Sequence, residues 1–303
     1  MSLKPKTVRW LRSACGMSLK GKTVLITGGN SGIGFKTAEI ALFLGADVLL
    51  ACRNPEKASA AREALLRDYP RASVGVLRLD LADFSSVDAF ADELMEKKTD
   101  IHVFVNNAGA FRHPGEKTAD GFDLVYGTNY IGVYRLSERI LPYLAALPHE
   151  VYFVNTVSVV IRAVRKADPS AFRNPGREGS LSVYARSKLC LAKYSWALAM
   201  RYRDTGVRVL MSHPGIAVTP LGLNAFGHRL DRLAGIFGGI FNSPEQSALS
   251  LAYILSHDLP PGSLAGPSKF FGIRGYPKQN RVPRYVKDGA EELARATGRE
   301  TGS

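Results

Sequence analysis

Long apolar runs are missing from this 303-residue chain. No stretch reaches the ~18 consecutive apolar residues that cross a bilayer. The longest candidates are broken by Asp47 and Asn242. Cysteine is scarce. The three residues, at 15, 52 and 190, form no CxxC and no disulfide framework, which fits reduced thiols in a reducing compartment. The six histidines show neither HExxH nor paired-ligand spacing, so no metal site is expected. Acids are absent from residues 1–22, which hold Lys4, Lys6, Arg9, Arg12, Lys20 and Lys22. An apolar h-region is missing there too, so a secretory signal is not expected and a loose basic extension over 1–20 is. Basic residues interleaved with aromatics in an RNA-binding pattern are also lacking, so no nucleic-acid partner is expected.

The remainder is an ordinary globular composition, 46% apolar and 22% charged. Forty basic residues against 27 acids give a net charge of +13. Such a balance permits peripheral contact with an anionic membrane surface but says nothing about fold. The segment MSLKPKTV at 1–8 nearly repeats at 17–24, a similarity too short to be a structural repeat.

From residue 23 onward, β-branched apolar runs recur at 23–27, 47–52, 74–79, 101–105, 151–157 and 207–211. Segments of helical periodicity separate most of them. Alternating strand and helix predicts a parallel sheet with crossover helices, and near-continuous apolar strands predict cover on both faces. Gly45 reads as the stop of a helix over 33–44, and Ser243-Pro244-Glu245-Gln246 reads as a capping-box start. The stretch 181–204, without Pro or Gly, predicts a long helix. Irregular excursions are expected over 162–180 and, with apolar character, over 220–242. No linker divides the chain, so one domain is expected.

Two glycine-rich segments compete as phosphate loops. Gly16 to Thr23 fits GxxxxGK[ST], but a strand follows it instead of a helix, the reverse of what a nucleoside-triphosphate loop needs. Thr27-Gly28-Gly29-Asn30-Ser31-Gly32-Ile33-Gly34 follows a strand and opens a helix. There, glycines let the backbone approach a pyrophosphate held at the helix N-terminus.

That TGxxxGxG form resembles the short-chain dehydrogenase/reductase family, and further motifs follow in the family's order over about residues 20–275. Asn106-Asn107-Ala108-Gly109 is similar to its NNAG motif, and Tyr184-Ala-Arg-Ser-Lys188 to its YxxxK. The 26-residue gap between Ser158 and Tyr184 is similar to the retinol dehydrogenase-like branch. The resemblance implies a Rossmann-type, doubly wound parallel sheet in a three-layer α/β/α domain over 21–275. A basic tail over 276–303, with a helix, follows it.

The resemblance also implies the chemistry. Ser158 would donate to the substrate oxygen and Tyr184 would exchange the proton. Lys188 would tune Tyr184 and hold the nicotinamide ribose, and Asn129 would hold a water behind Lys188. The i, i+4 spacing of Tyr184 and Lys188 puts both on one helix face, where an ammonium favours the phenolate. Cofactor contacts are implied for Gly28, Asn30, Ser31, Gly32, Ile33, Gly34, Asp80, Leu81, Asn107, Ala108, Gly109, Pro214, Gly215 and Thr219. Arg53 stands where NAD-binding proteins hold an acid for the ribose 2′-hydroxyl, and its guanidinium suits the 2′-phosphate of NADP(H). The expected activity is NADP-dependent carbonyl reduction or alcohol oxidation on a hydrophobic retinoid, steroid or lipid aldehyde, because Leu221 to Phe241 read as an apolar lid. A non-catalytic NADP-binding sensor or scaffold is the rival. Further expectations are a homodimer or homotetramer and a cytoplasmic location. The alternative location is peripheral membrane or organellar through the basic N-terminus.

Overall fold

The computed structural model describes residues 3–15, 17–215 and 242–302. Thr219 and the lid segment 221–241 lie outside the described residues. Six strands fall where apolar runs predict them: β1 (Thr23–Thr27), β2 (Asp47–Cys52), β3 (Val74–Arg78), β4 (Val103–Asn106), β5 (Val151–Thr156) and β6 (Val207–Ser212). Two more, β7 (Leu264–Lys269) and β8 (Arg274–Asn280), complete an eight-stranded sheet of order β3-β2-β1-β4-β5-β6-β7-β8. Every pair is parallel except β7–β8. The order reverses between β1 and β4, and a crevice opens at the strand C-termini there.

Strand alternation divides the core in two. Leu25, Phe104, Phe153 and Met211 face the helices Phe84–Glu96, Gly132–Ala145 and Ser180–Arg201 on one side. Val24, Ile26, Val48, Val105, Val154 and Leu210 face Gly32–Phe43, Pro55–Asp68 and Pro244–Ser256 on the other. Caps agree with the local sequence. Asn54 accepts from the Lys57 amide, Asp83 accepts from the Ser85 amide, and Ser243 with Gln246 forms the expected reciprocal box.

Two expectations change. First, the loose basic extension is instead a helix at Pro5–Trp10 continued to Cys15. Leu3 and Leu11 are buried against Ile40, Leu249 and Ala252, and Trp10 stacks on Tyr276 at 5.5 Å. A segment whose cations are Lys6, Arg9 and Arg12 still has an apolar face, and here that face finds a partner. Second, the expected boundary at 275 falls inside β8. The tail carries the helix Ala290–Thr301, which packs on the domain: Leu293, Ala294 and Thr297 are buried, and Thr297 Oγ1 meets the Tyr130 hydroxyl at 2.6 Å.

Candidate active site

β1 ends in a turn whose backbone only glycine tolerates. Gly28 lies at φ +66°, with Ala108 3.0 Å from where a Cβ would stand. A Cβ on Gly34 would lie 2.4 Å from the Gly28 carbonyl oxygen and 2.5 Å from Asn107 Nδ2. The helix Gly32–Phe43 starts at Ser31 without a side-chain cap, so its first amides are left for a ligand. The loop is locked from the neighbouring strand. Thr27 Oγ1 accepts from the amides of Asn107 and Ala108, each at 3.0 Å, and Asn107 Nδ2 donates to Thr27 O at 3.0 Å.

These elements border a cavity of about 480 Å³. Gly28, Asn30, Ser31, Gly32, Ile33, Gly34, Arg53, Asp80, Leu81, Asn107, Ala108, Gly109, Tyr184, Lys188 and Pro214 all line it. Arg53 is exposed at the end of β2, and no carboxylate among the described residues pairs with it. Asp80 Oδ1 accepts from the Ala82 amide at 3.0 Å, so it also shapes the turn into the next helix. Gly215 lies behind the wall, packed on the carbonyl of Ile273. The uncapped helix start, the glycine cradle and a free guanidinium beside it fit a dinucleotide phosphate.

At the other end of the cavity the structure brings Ser158, Tyr184 and Lys188 together. Ser158 caps the turn Val159–Ala163 through the Val160 amide at 3.4 Å and also hydrogen-bonds the Tyr184 hydroxyl. Burial pushes the Tyr184 phenol up to about 12, and the Ser158 hydrogen bond offsets only part of that. Burial likewise brings Lys188 down to about 8, and its ammonium donates to Thr156 O at 2.9 Å. The expectation that Lys188 draws Tyr184 toward neutrality is therefore not met in this geometry: desolvation dominates both groups.

Asn129 sits, fully buried, in the π-helical turn Gly127–Ile131. Its Oδ1 accepts from the Ala110 amide at 2.7 Å, and its Nδ2 donates to Ala110 O and Ser187 Oγ, each at 3.0 Å. Both amide protons are thus spent on protein. Ser187 Oγ in turn donates to Tyr184 O at 2.8 Å. Sequence reasoning passed over Ser187 and Phe111, whose ring is tilted against Tyr184 at 5.4 Å. Arg112 and Glu116, also unremarked, line the cavity. Position within YxxxK and directly after NNAG was the available signal for the first three; Glu116 had none.

A family model for short chain dehydrogenases matches residues 22–228. The chain belongs to the short-chain dehydrogenase family. It is similar to retinol dehydrogenase 12 of Mus musculus, 33% identical over 247 residues that cover 81% of this chain and 77% of the relative. A crystal structure of an uncharacterized protein from Mycobacterium paratuberculosis superposes with TM-score 0.76 at 29% identity, covering 95% of this chain and 96% of the other. A short chain dehydrogenase from Burkholderia cenocepacia, solved in complex with NADP, gives TM-score 0.63 at 25% identity and covers 79% and 92%. As a member of this family, in its retinol dehydrogenase-like branch, the protein is an oxidoreductase acting on CH–OH or C=O groups with a nicotinamide cofactor. Among the described residues no helix is long and apolar enough to cross a membrane.

The family's HPG turn carries a pH liability. His213 is buried, and neither ring nitrogen has a hydrogen-bond partner among the described residues. Burial, with the Arg162 charge adding to it, brings its pKa from 6.5 down to about 4. Because the folded pKa lies below the unfolded one, the unfolded chain binds the extra proton. Stability is therefore full above pH 6.5 and is lost as pH falls toward 4, by up to about 3 kcal/mol. Urea denaturation at pH 7.5 and 4.5 measures the loss, and His213→Leu is expected to flatten that part of the profile.

Proposed function

We propose that the protein is an NADP(H)-dependent reductase or dehydrogenase of hydrophobic carbonyl or alcohol substrates of retinoid, steroid or lipid-aldehyde type. The single observation that carries the cofactor choice is Arg53, an exposed guanidinium bordering the cavity with no carboxylate partner among the described residues. The Burkholderia neighbour solved with NADP is consistent with it. The relatives named retinol dehydrogenase support the substrate class.

In this reading the bound nicotinamide supplies or accepts the hydride. The glycine loop and the first amides of Gly32–Phe43 hold its phosphates, and Arg53 holds the 2′-phosphate. Ser158 donates to the substrate oxygen, where negative charge develops. Tyr184, kept protonated at neutral pH by burial, gives its proton to that oxygen in reduction. Lys188 holds ribose hydroxyls. Asn129 keeps the 110 backbone and Ser187 in place behind the pair. Phe111 forms an apolar wall beside Tyr184.

Arg53→Asp removes a charge-assisted contact and adds repulsion, so it is expected to weaken NADPH binding by about one to two decades. NADH binding should hold or improve. Fluorescence titration of both cofactors reads the change, and equal wild-type affinities for the two would remove Arg53 from this role. Screening a panel of apolar aldehydes, ketones and alcohols with each cofactor tests the substrate class.

Self-association as a homodimer or homotetramer follows from the family reading. Light scattering against the 32.9 kDa chain mass checks it. Peripheral contact with an anionic membrane surface, from a cytoplasmic or organellar position, accords with the +13 charge.

A further inference from the structure

The basic residues of this chain are not spread evenly. Residues 259–287 hold Lys269, Arg274, Lys278, Arg281, Arg284 and Lys287 and no acid, and residues 151–167 hold Arg162, Arg165 and Lys166 and no acid. The two stretches meet at the turn Phe270–Gly272 that joins β7 to β8, where Arg162 Nη1 lies beside Gly272. Lys269, Arg162, Arg165 and Lys166 are exposed.

Phe270 tops this turn. It is 62% exposed, more than any other large hydrophobic side chain among the described residues. Its backbone lies at φ +50°, a left-handed conformation that a bulky aromatic adopts only at a cost. Most of this ring faces water, so burial offsets little of the strain, and the observed outlier points to something outside the chain.

The position is also informative. β7 runs parallel to β6, so its C-terminal turn stands at the sheet end that carries Ser158, Asn107 and Pro214. Gly272 packs on the His213 ring, and the Ile273 carbonyl packs on Gly215. The turn therefore stands next to the cofactor cavity.

We infer that this turn docks the protein on an anionic lipid bilayer, with Phe270 inserted at the headgroup boundary and Lys269, Arg162, Arg165 and Lys166 facing the negative surface. An aromatic ring supplies interfacial burial, the cations supply Coulombic attraction, and stable peripheral binding needs both. Docked this way, the cavity end of the sheet faces the lipid, and an apolar substrate reaches the site without crossing water. This last consequence rests on the hydrophobic substrate proposed above.

Sedimentation with vesicles of phosphatidylcholine alone, or with phosphatidylserine added, tests the inference at low and physiological salt. The protein is expected to partition onto the anionic vesicles and less so as salt rises. Phe270→Asn is expected to lower that partition about tenfold, the effect of a partly buried aromatic ring. Lys269→Glu is expected to lower it several-fold, by roughly the worth of one reversed interfacial charge. Asn adopts left-handed backbone readily, so Phe270→Asn should hold or raise the melting temperature, whereas loss of a packing residue would lower it. Equal partition onto neutral and anionic vesicles overturns the inference. So does a Phe270→Asn variant that binds like the wild type, the outcome if another surface or a protein partner is involved. Partition needs no turnover, so failure of the oxidoreductase reading leaves this result interpretable.

Discussion

Tyr184→Phe is expected to slow single-turnover hydride transfer by about 10²–10⁴, the usual worth of a positioned proton donor. The ring and its packing against Phe111 remain, and only the hydroxyl in contact with Ser158 is lost. NADPH affinity should survive, because the glycine loop and Arg53 are untouched. Lys188→Ala should differ, with both turnover and cofactor affinity falling. The acid–base balance adds a directional test. Lys188 is held near 8 and Tyr184 near 12, so the site at pH 7 presents an ammonium and a neutral phenol. Reduction should run at neutral pH and alcohol oxidation should gain as pH rises. NADPH affinity should weaken above pH 8 as the ammonium is lost. Retention of near wild-type transfer by Tyr184→Phe would falsify the proposed proton path.

A second large effect is expected from Asn155→Leu, at a residue that does not itself line the cavity. Asn155 is fully buried at the end of β5. Its Oδ1 accepts from Asn106 Nδ2 at 2.8 Å, and its Nδ2 donates to Ser195 Oγ at 2.9 Å. Ser195 stands two turns beyond Lys188 on the same helix. The pair therefore ties the NNAG strand, the Ser158 strand and the catalytic helix together. Leucine keeps the volume but strands the Asn106 amide in a dry interior and removes the Ser195 bond. A loss of about 2–4 kcal/mol is expected from an orphaned buried donor plus one net hydrogen bond. Chemical denaturation reads it directly. A change below about 0.5 kcal/mol, the scale of an ordinary surface substitution, would mean the ladder adds nothing.

Much of this site was written locally. The glycine loop needs only a strand before it and a helix after it, and both were visible in the apolar runs at 23–27 and the periodicity that follows. YxxxK needs only helical spacing, which sets Tyr184 and Lys188 on one face whatever the rest of the fold does. Strands β1 to β6 were legible because most of their residues are apolar, as helices packed on both faces of the sheet require.

Other features depend on partners distant in the chain. β7 and β8, LAGPSK and RGYPKQN, carry Pro, Gly and Lys, and no apolar run marks them. They become strands because β6 offers an edge and each then pairs with the other. The first fifteen residues read as a loose basic arm, since nothing local says that Ile40, Leu249 and Tyr276 will gather to receive Leu3, Leu11 and Trp10. The same holds for protonation. Charge spacing alone argued that Lys188 would pull Tyr184 down, but burial is a property of the assembled core, and it moves Tyr184 up and Lys188 down. The sequence by itself determined the phosphate cradle, the parallel sheet and the residues available for proton transfer, because each rests on neighbours within a few positions. Only the tertiary structure decided which polar groups are desolvated, which helix faces are covered and which aromatic ring is left facing water, because those depend on segments hundreds of residues apart packing in one place.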